Sequence, residues 1–165
     1  MDLSQRALAD YLADVAELLE RYGLVLDLGP ADELHLGETP SGVLVFDLRG
    51  FLPDRAPPPR STLAVREIWR PAARSRYERS EYEYELLDHE RGYRRAFHLH
   101  DRELFTRRFD VVVHEHCERP VGDARCDHYA GLPVRNAFAG IERLLGEWVD
   151  PGPPDCDSLV CLETR

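Results

Sequence analysis

The sequence predicts an α+β domain in which an antiparallel sheet is flanked by an N-terminal and a C-terminal helix. A helical apolar pattern opens the chain, a second one lies near its end, and short segments with alternating apolar residues lie between them. The 165 residues, of which 43% are hydrophobic, suit one domain with a core of its own. We therefore expect residues 1–165 to form a single domain.

The first predicted helix covers residues 3–22. Ser4 or Asp2 would cap its start, and Gly23 follows its end. Its apolar residues recur at spacings of three and four, which indicates one core-facing side: Leu8, Leu12, Val15, Leu18 and Leu19.

Short strands are expected at 24–28, 33–36 and 43–48, separated by turns rich in glycine and proline. A proline-rich loop at 54–60 then divides the N-terminal part, 1–53, from the main part, 61–165. In the main part we expect strands at 62–69, 80–87, 93–100 and 109–117, with Gly92 in the turn before the third. A helix at 134–148 and a short strand at 158–162 complete the prediction.

The formal net charge of −10 at pH 7 argues against nucleic-acid binding through overall charge, because phosphate neutralisation drives that binding. RNA binding is therefore expected only through a local basic patch, which would consist of arginines because the chain has no lysine. The chain has no long apolar segment and starts with an acidic, amphipathic stretch. These features predict a cytoplasmic protein without a membrane segment, with its four cysteines reduced.

Four of the seven histidines lie in two phrases, His98-Leu99-His100 and His114-Glu115-His116. Residues two apart in a strand share a face of the sheet, so each phrase presents a pair. A direct hairpin would place His100 opposite residue 109 or 110 and His114 opposite residue 95 or 96. The two pairs would then lie roughly 13 Å apart along the ladder, which is too far for one shared metal ion.

A symmetric turn at 88–92 would place Tyr82 opposite His98 and Tyr84 opposite Ala96. Phenols, imidazoles and the Arg94 guanidinium would then share one solvent-facing side, while Tyr93, Phe97, Leu99, Val111 and Val113 would lie under a helix. Such a polar face suits general acid–base transfer without a cofactor, as in metal-independent ribonucleases. The candidate catalytic residues are His98, His100, His114, His116, Tyr84 and Arg94.

Two alternatives remain for these histidines. They are solvated or hydrogen-bonded sheet residues without a chemical role, or some of them bind zinc. Zinc takes imidazole and thiolate ligands readily, although the spacing matches no standard zinc pattern. The candidate metal ligands are His114, His116, Cys126 and His128.

From residue 61 onward the chain resembles the TumE family of small prokaryotic toxin–antitoxin proteins. The matching phrases, in order, are Ser61-Thr62-Leu63 with Glu67, Tyr82-x-Tyr84, Phe97 with Asp101, and His114-x-His116, followed by a terminal helix. The likeness covers 61–148, and Val113 stands where the family has a further histidine. The resemblance implies a growth-inhibiting protein that acts on RNA and is held by an antitoxin-like protein partner.

A non-catalytic interaction or immunity-type protein is the alternative function. The strong acidity and the proline-rich segment suit binding to a basic protein partner. In that case the histidines would be dispensable, and surface carboxylates would carry the binding.

Overall fold

A computed structural model describes residues 1–26, 35–52, 61–72, 75–99, 113–118, 121, 127–128 and 134–149. Two helices are described, α1 (Gln5–Arg21) and α2 (Ala137–Val149). The described strands are β1 (Asp2–Ser4), β2 (Val25–Leu26), β3 (His35–Glu38), β4 (Leu44–Phe51), β5 (Thr62–Ala72), β6 (Arg76–Asp88), β7 (Tyr93–Leu99), β8 (Val113–Glu118) and β9 (Asp127–His128). The strand predicted at 158–162 lies outside the described residues.

All described strand pairs are antiparallel, and the main sheet has the order β2-β4-β5-β6-β7-β8-β9. β1 pairs with β6, and β3 pairs with β4. The predicted α+β class, with one helix at each end of an antiparallel sheet, is confirmed. β4 and β5 flank the proline-rich segment and pair with each other, so strands on both sides of it belong to one sheet.

The helix α1 begins where the sequence offers a cap. The Ser4 hydroxyl accepts a hydrogen bond from the Ala7 amide, 3.3 Å away, and Gly23 takes the positive φ of 74° that ends the helix. The predicted apolar side is buried, with Tyr11 added to it.

The register defines two faces of the sheet. The helix face includes the row Leu48, Val65, Tyr84, Phe97 and Glu115, whose members lie opposite one another across five strands. The histidine face includes the row Asp47, Arg66, Glu83, His98 and His114. Both helices pack on the helix face, where Tyr11 of α1 contacts Glu67 and Gly140 of α2 lies against the Tyr84 ring.

A buried carboxylate, Glu67 of β5, ties the sheet to α1. The side chain is fully inaccessible to solvent, and four other side chains donate hydrogen bonds to it in place of water. The donors are Tyr11 Oη at 2.9 Å, Trp69 Nε1 at 3.1 Å, Arg79 Nη1 at 3.0 Å and the Tyr84 hydroxyl in a short bond. Burial, and next the Glu67 charge, raise the pKa of Tyr84 well above its ordinary value, so this phenol stays a proton donor.

The same network fixes the start of α2. Tyr11 Oη accepts a hydrogen bond from the Ala137 amide at 2.9 Å, and Tyr82 Oη accepts one from the Val134 amide at 2.7 Å. Arg79 Nη2 donates to the carbonyl oxygens of Val134, at 2.7 Å, and Arg135, at 3.1 Å. The position of α2 over the sheet therefore depends on the side chains that surround Glu67.

Replacing Glu67 with glutamine is expected to lower the free energy of unfolding by about 3–5 kcal/mol, because Arg79 would lose the charge that compensates its burial. The measurement is the denaturant midpoint of the full chain. Glu78→Gln, at an exposed position of the next strand, is the matched control and should change stability little. Equal losses for the two variants would contradict the central role of Glu67.

The two glycines of α2 offer a paired test of its packing. A Cβ at Gly140 would collide with the Tyr84 ring, whereas one at Gly146 would meet nothing within 4 Å. Gly140→Ala should therefore destabilise the protein by about 1–3 kcal/mol. Gly146→Ala should stabilise it by up to about 1 kcal/mol through helix propensity. Thermal unfolding of both variants checks the pair, and a stabilising Gly140→Ala would show that α2 lies elsewhere.

Candidate functional site

Three histidines of neighbouring strands form a compact cluster on the histidine face. His98 of β7 lies directly opposite His114 of β8, and His116 is two residues further along β8. The ring centroids are 5.1 Å apart for His98 and His114, 4.8 Å for His98 and His116, and 5.1 Å for His114 and His116. One ring nitrogen of each histidine lies within 4.8 Å of the other two. We call these residues the histidine triad.

The predicted distance between the two histidine phrases is wrong. His114 pairs with His98, two or three positions further along β7 than expected, so the 13 Å separation does not exist. The prediction assumed a short turn directly after His100, whereas the last described pair, Leu99 with Val113, leaves residues 100–112 between the strands. His100 itself lies outside the described residues.

The predicted common face of tyrosines and histidines is also wrong. Tyr82 pairs with Leu99 and Tyr84 pairs with Phe97, one position away from the expected partners. The turn holds residues 89–92 and closes on Asp88 and Tyr93, and a shift of one residue moves a whole strand's side chains to the other face. Tyr84 therefore belongs to the Glu67 network on the helix face.

Arg94 lies on the histidine face, as predicted, but its partners are carboxylates of the protein. Its guanidinium contacts Glu85 Oε2 at 2.6 Å and forms a short hydrogen bond with Glu118 Oε1. Burial disfavours the charged guanidinium, but the two carboxylates raise the pKa of Arg94 above its ordinary value. Within the described residues, Arg94 is thus part of an ion-pair network and not a ready phosphate site.

The histidine triad is shielded from water, contrary to the predicted solvent-facing side. His98 is 5% exposed, His114 is 1% exposed, and the His116 side chain is 12% exposed. Carboxylates lie beside two of the rings, with Glu118 Oε1 3.2 Å from His116 Nδ1 and Glu83 Oε1 4.0 Å from His98 Nε2. The surroundings are acidic, which favours a cation among the imidazoles.

The geometry of the triad suits a single tetrahedral metal ion. Bonds of roughly 2.0–2.1 Å from zinc to imidazole nitrogen place two such nitrogens about 3.3 Å apart. The three nitrogens already lie within 4.8 Å of one another, so small side-chain rotations bring them to that spacing. Three histidines leave the fourth position of the ion for water or another ligand.

The ligands predicted from the sequence overlap with this triad only in part. His114 and His116 belong to it, whereas Cys126 lies outside the described residues. His128 is in β9, where its backbone pairs with Glu115 while that of Asp127 pairs with His116. The sequence-based ligand set missed His98, although two His-x-His phrases in successive strands were the signal that could have included it.

A second polar cluster lies on the opposite face of the same two strands. Glu115 Oε2 contacts Arg95 Nη2 at 2.7 Å and Arg143 Nη2 of α2 at 3.2 Å. Both guanidinium groups also lie over the Phe97 ring, 4.8 Å and 4.5 Å from its centroid. This cluster holds α2 against β7 and β8 directly behind the histidine triad.

Comparison of the chain with family models, with curated proteins and with solved structures finds no match in any of the three. Within the described residues, no helix combines the length and the apolar character needed to cross a membrane. The site must therefore be interpreted from its own geometry.

Proposed function

We propose that this protein binds one zinc ion through His98, His114 and His116. The observation that carries the proposal is the convergence of three ring nitrogens within 4.8 Å of one another. The ligands come from two neighbouring strands whose register places His98 and His114 face to face. A rigid, paired scaffold of this kind holds ligands close to a productive geometry before the ion arrives.

Charge and ligand chemistry both favour zinc. Glu83, Glu85 and Glu118 lie beside the triad, and among the described residues Arg94 contacts two of them. A divalent cation suits these carboxylate-rich surroundings. Imidazole suits zinc and other late transition metals, whereas magnesium and calcium prefer oxygen ligands.

The burial of the triad favours a structural role for the ion. Residues that are 1–12% exposed offer a substrate little access, but an ion among them would link β7 to β8. An ion that binds only the folded chain stabilises it by about 2.7 kcal/mol when its concentration is 100 times the dissociation constant. On this proposal, zinc holds the far end of the sheet together.

The alternative of metal-independent acid–base chemistry has less support from the geometry. It required Tyr84 and Arg94 to face a substrate beside the histidines. Tyr84 instead donates a hydrogen bond to Glu67 on the other face, and Arg94 is engaged by Glu85 and Glu118. These contacts favour metal binding over a ribonuclease site built from the same residues.

Metal content gives the direct test of the zinc proposal. The full chain, stripped with a chelator and then supplied with zinc, should bind one equivalent. Loss of a hydrogen-bond partner of a metal ligand typically weakens metal binding roughly 10–100-fold. Loss of a ligand itself should have a larger effect, which we expect for each of the variants His98→Gln, His114→Gln and His116→Gln. Competition with a chromophoric chelator measures the affinities, and circular dichroism checks the fold.

His89→Gln is the matched control, because His89 is an exposed residue of the turn between β6 and β7. It should bind zinc like the wild type, and zinc should raise the thermal midpoint of both proteins. A wild-type chain that takes up no zinc, or an equal loss in His89→Gln and His98→Gln, would refute the proposal.

The TumE-like toxin function rests on the sequence resemblance over 61–148 and stays a prediction. Induced expression without the neighbouring gene should arrest growth, and co-expression of that gene should restore it. Combined substitution of His114 and His116 should relieve the arrest if the triad is needed for toxicity, whereas His89→Gln should not. Harmless expression of the wild-type chain would contradict a toxin role and would leave the zinc measurement unaffected.

A further inference from the structure

The Glu118 carboxylate lies beside the histidine triad and is held in place by a guanidinium of the neighbouring strand. Glu118 is the last residue of β8 and shares the histidine face with His116, two positions before it. It is only 4% exposed, and its backbone lies directly opposite that of Arg94 in β7. Strand pairing therefore sets a carboxylate and a guanidinium side by side at the edge of the triad.

The contacts arrange these groups in a chain. Arg94 Nη1 donates a short hydrogen bond to Glu118 Oε1, while its Nε donates to Glu85 Oε2 at 2.6 Å. The same Glu118 Oε1 lies 3.2 Å from His116 Nδ1, close enough for a hydrogen bond but without the alignment of one. Arg94 thus holds the Glu118 carboxylate close to Nδ1 of His116.

A neutral imidazole carries one N–H and one lone pair, and only the lone pair can bind a metal ion. An ionised carboxylate only accepts hydrogen bonds, so it favours the tautomer in which the facing nitrogen is protonated. For His116 this nitrogen is Nδ1, which leaves the lone pair on Nε2.

We propose that Glu118, held by Arg94, is the positioning residue of the metal site and fixes His116 as the Nδ1–H tautomer that presents Nε2 to the ion. This inference rests on the proposed zinc function. His98 provides an internal contrast, because Glu83 Oε1 is 4.0 Å from its Nε2, beyond hydrogen-bonding distance. The effect of a carboxylate on metal binding should therefore be larger at Glu118 than at Glu83.

The tautomer can be measured without any substitution. Long-range ¹H–¹⁵N correlation spectra of the metal-free, full-length wild type at neutral pH should show His116 protonated at Nδ1. In Glu118→Gln that preference should weaken, because the carboxamide can turn its NH₂ group toward the ring. A wild-type His116 that carries its proton on Nε2 would overturn the inference, even if the variant failed to fold.

Zinc affinity provides the second measurement. Glu118→Gln should weaken zinc binding about 10–100-fold. Glu83→Gln and Glu85→Gln are the matched controls, since Glu83 lies too far from His98 to hydrogen-bond, and Glu85 contacts Arg94. Both should weaken binding less than Glu118→Gln does.

The outcomes separate this inference from the proposed function. A wild type that binds no zinc refutes the zinc site itself. A wild type that binds zinc, together with a Glu118→Gln variant of equal affinity, refutes only the positioning role of Glu118.

Discussion

The fold depends on the burial of one carboxylate, that of Glu67, among donors from α1 and two strands. Removing an ionised carboxylate from water costs several kcal/mol unless charge and hydrogen bonds replace the lost hydration. Only the assembled structure provides that replacement, because Tyr11 lies 56 residues from Glu67 in the chain and Arg79 comes from the neighbouring strand. Arg79 in turn holds the start of α2. These contacts join β5, β6, α1 and α2 at one point, and β7 and β8 continue the sheet beyond β6.

The two faces of the sheet have different chemistry because strand alternation separates them. On the helix face, tyrosines, apolar side chains and compensated charges close the core under α1 and α2. On the histidine face, imidazoles and carboxylates from β6, β7 and β8 come together around Ala96, a small residue between His98 and Arg94. The acidity of this cluster and its shielding from water are the features on which the proposed zinc site rests.

The sequence predicted the helices and most strands, but not how the strands pair. Both helices and the strands β4 to β7 were predictable from apolar spacing and turn residues. The pairing of strands was not, because it depends on turn geometry: a turn of residues 89–92 instead of 88–92 moved Tyr84 from the predicted site into the core network. The partner of His98 depends on the register of β7 and β8, which no local pattern reveals. Glu67 appears in the sequence as one polar residue in a strand, and its donor Tyr11 lies 56 positions away.

Successive side chains of β8 point to opposite faces of the sheet, which connects the histidine face to α2. His114 and His116 face one side of the sheet. Glu115, between them, faces the other side and forms ion pairs with Arg95 and Arg143. Three consecutive residues thus join the imidazoles to the terminal helix through a single short stretch of backbone. A shift of this backbone would therefore move the Glu115 carboxylate relative to Arg143 of α2. β8 thereby connects the histidine face to α2, which packs on the opposite side of the sheet.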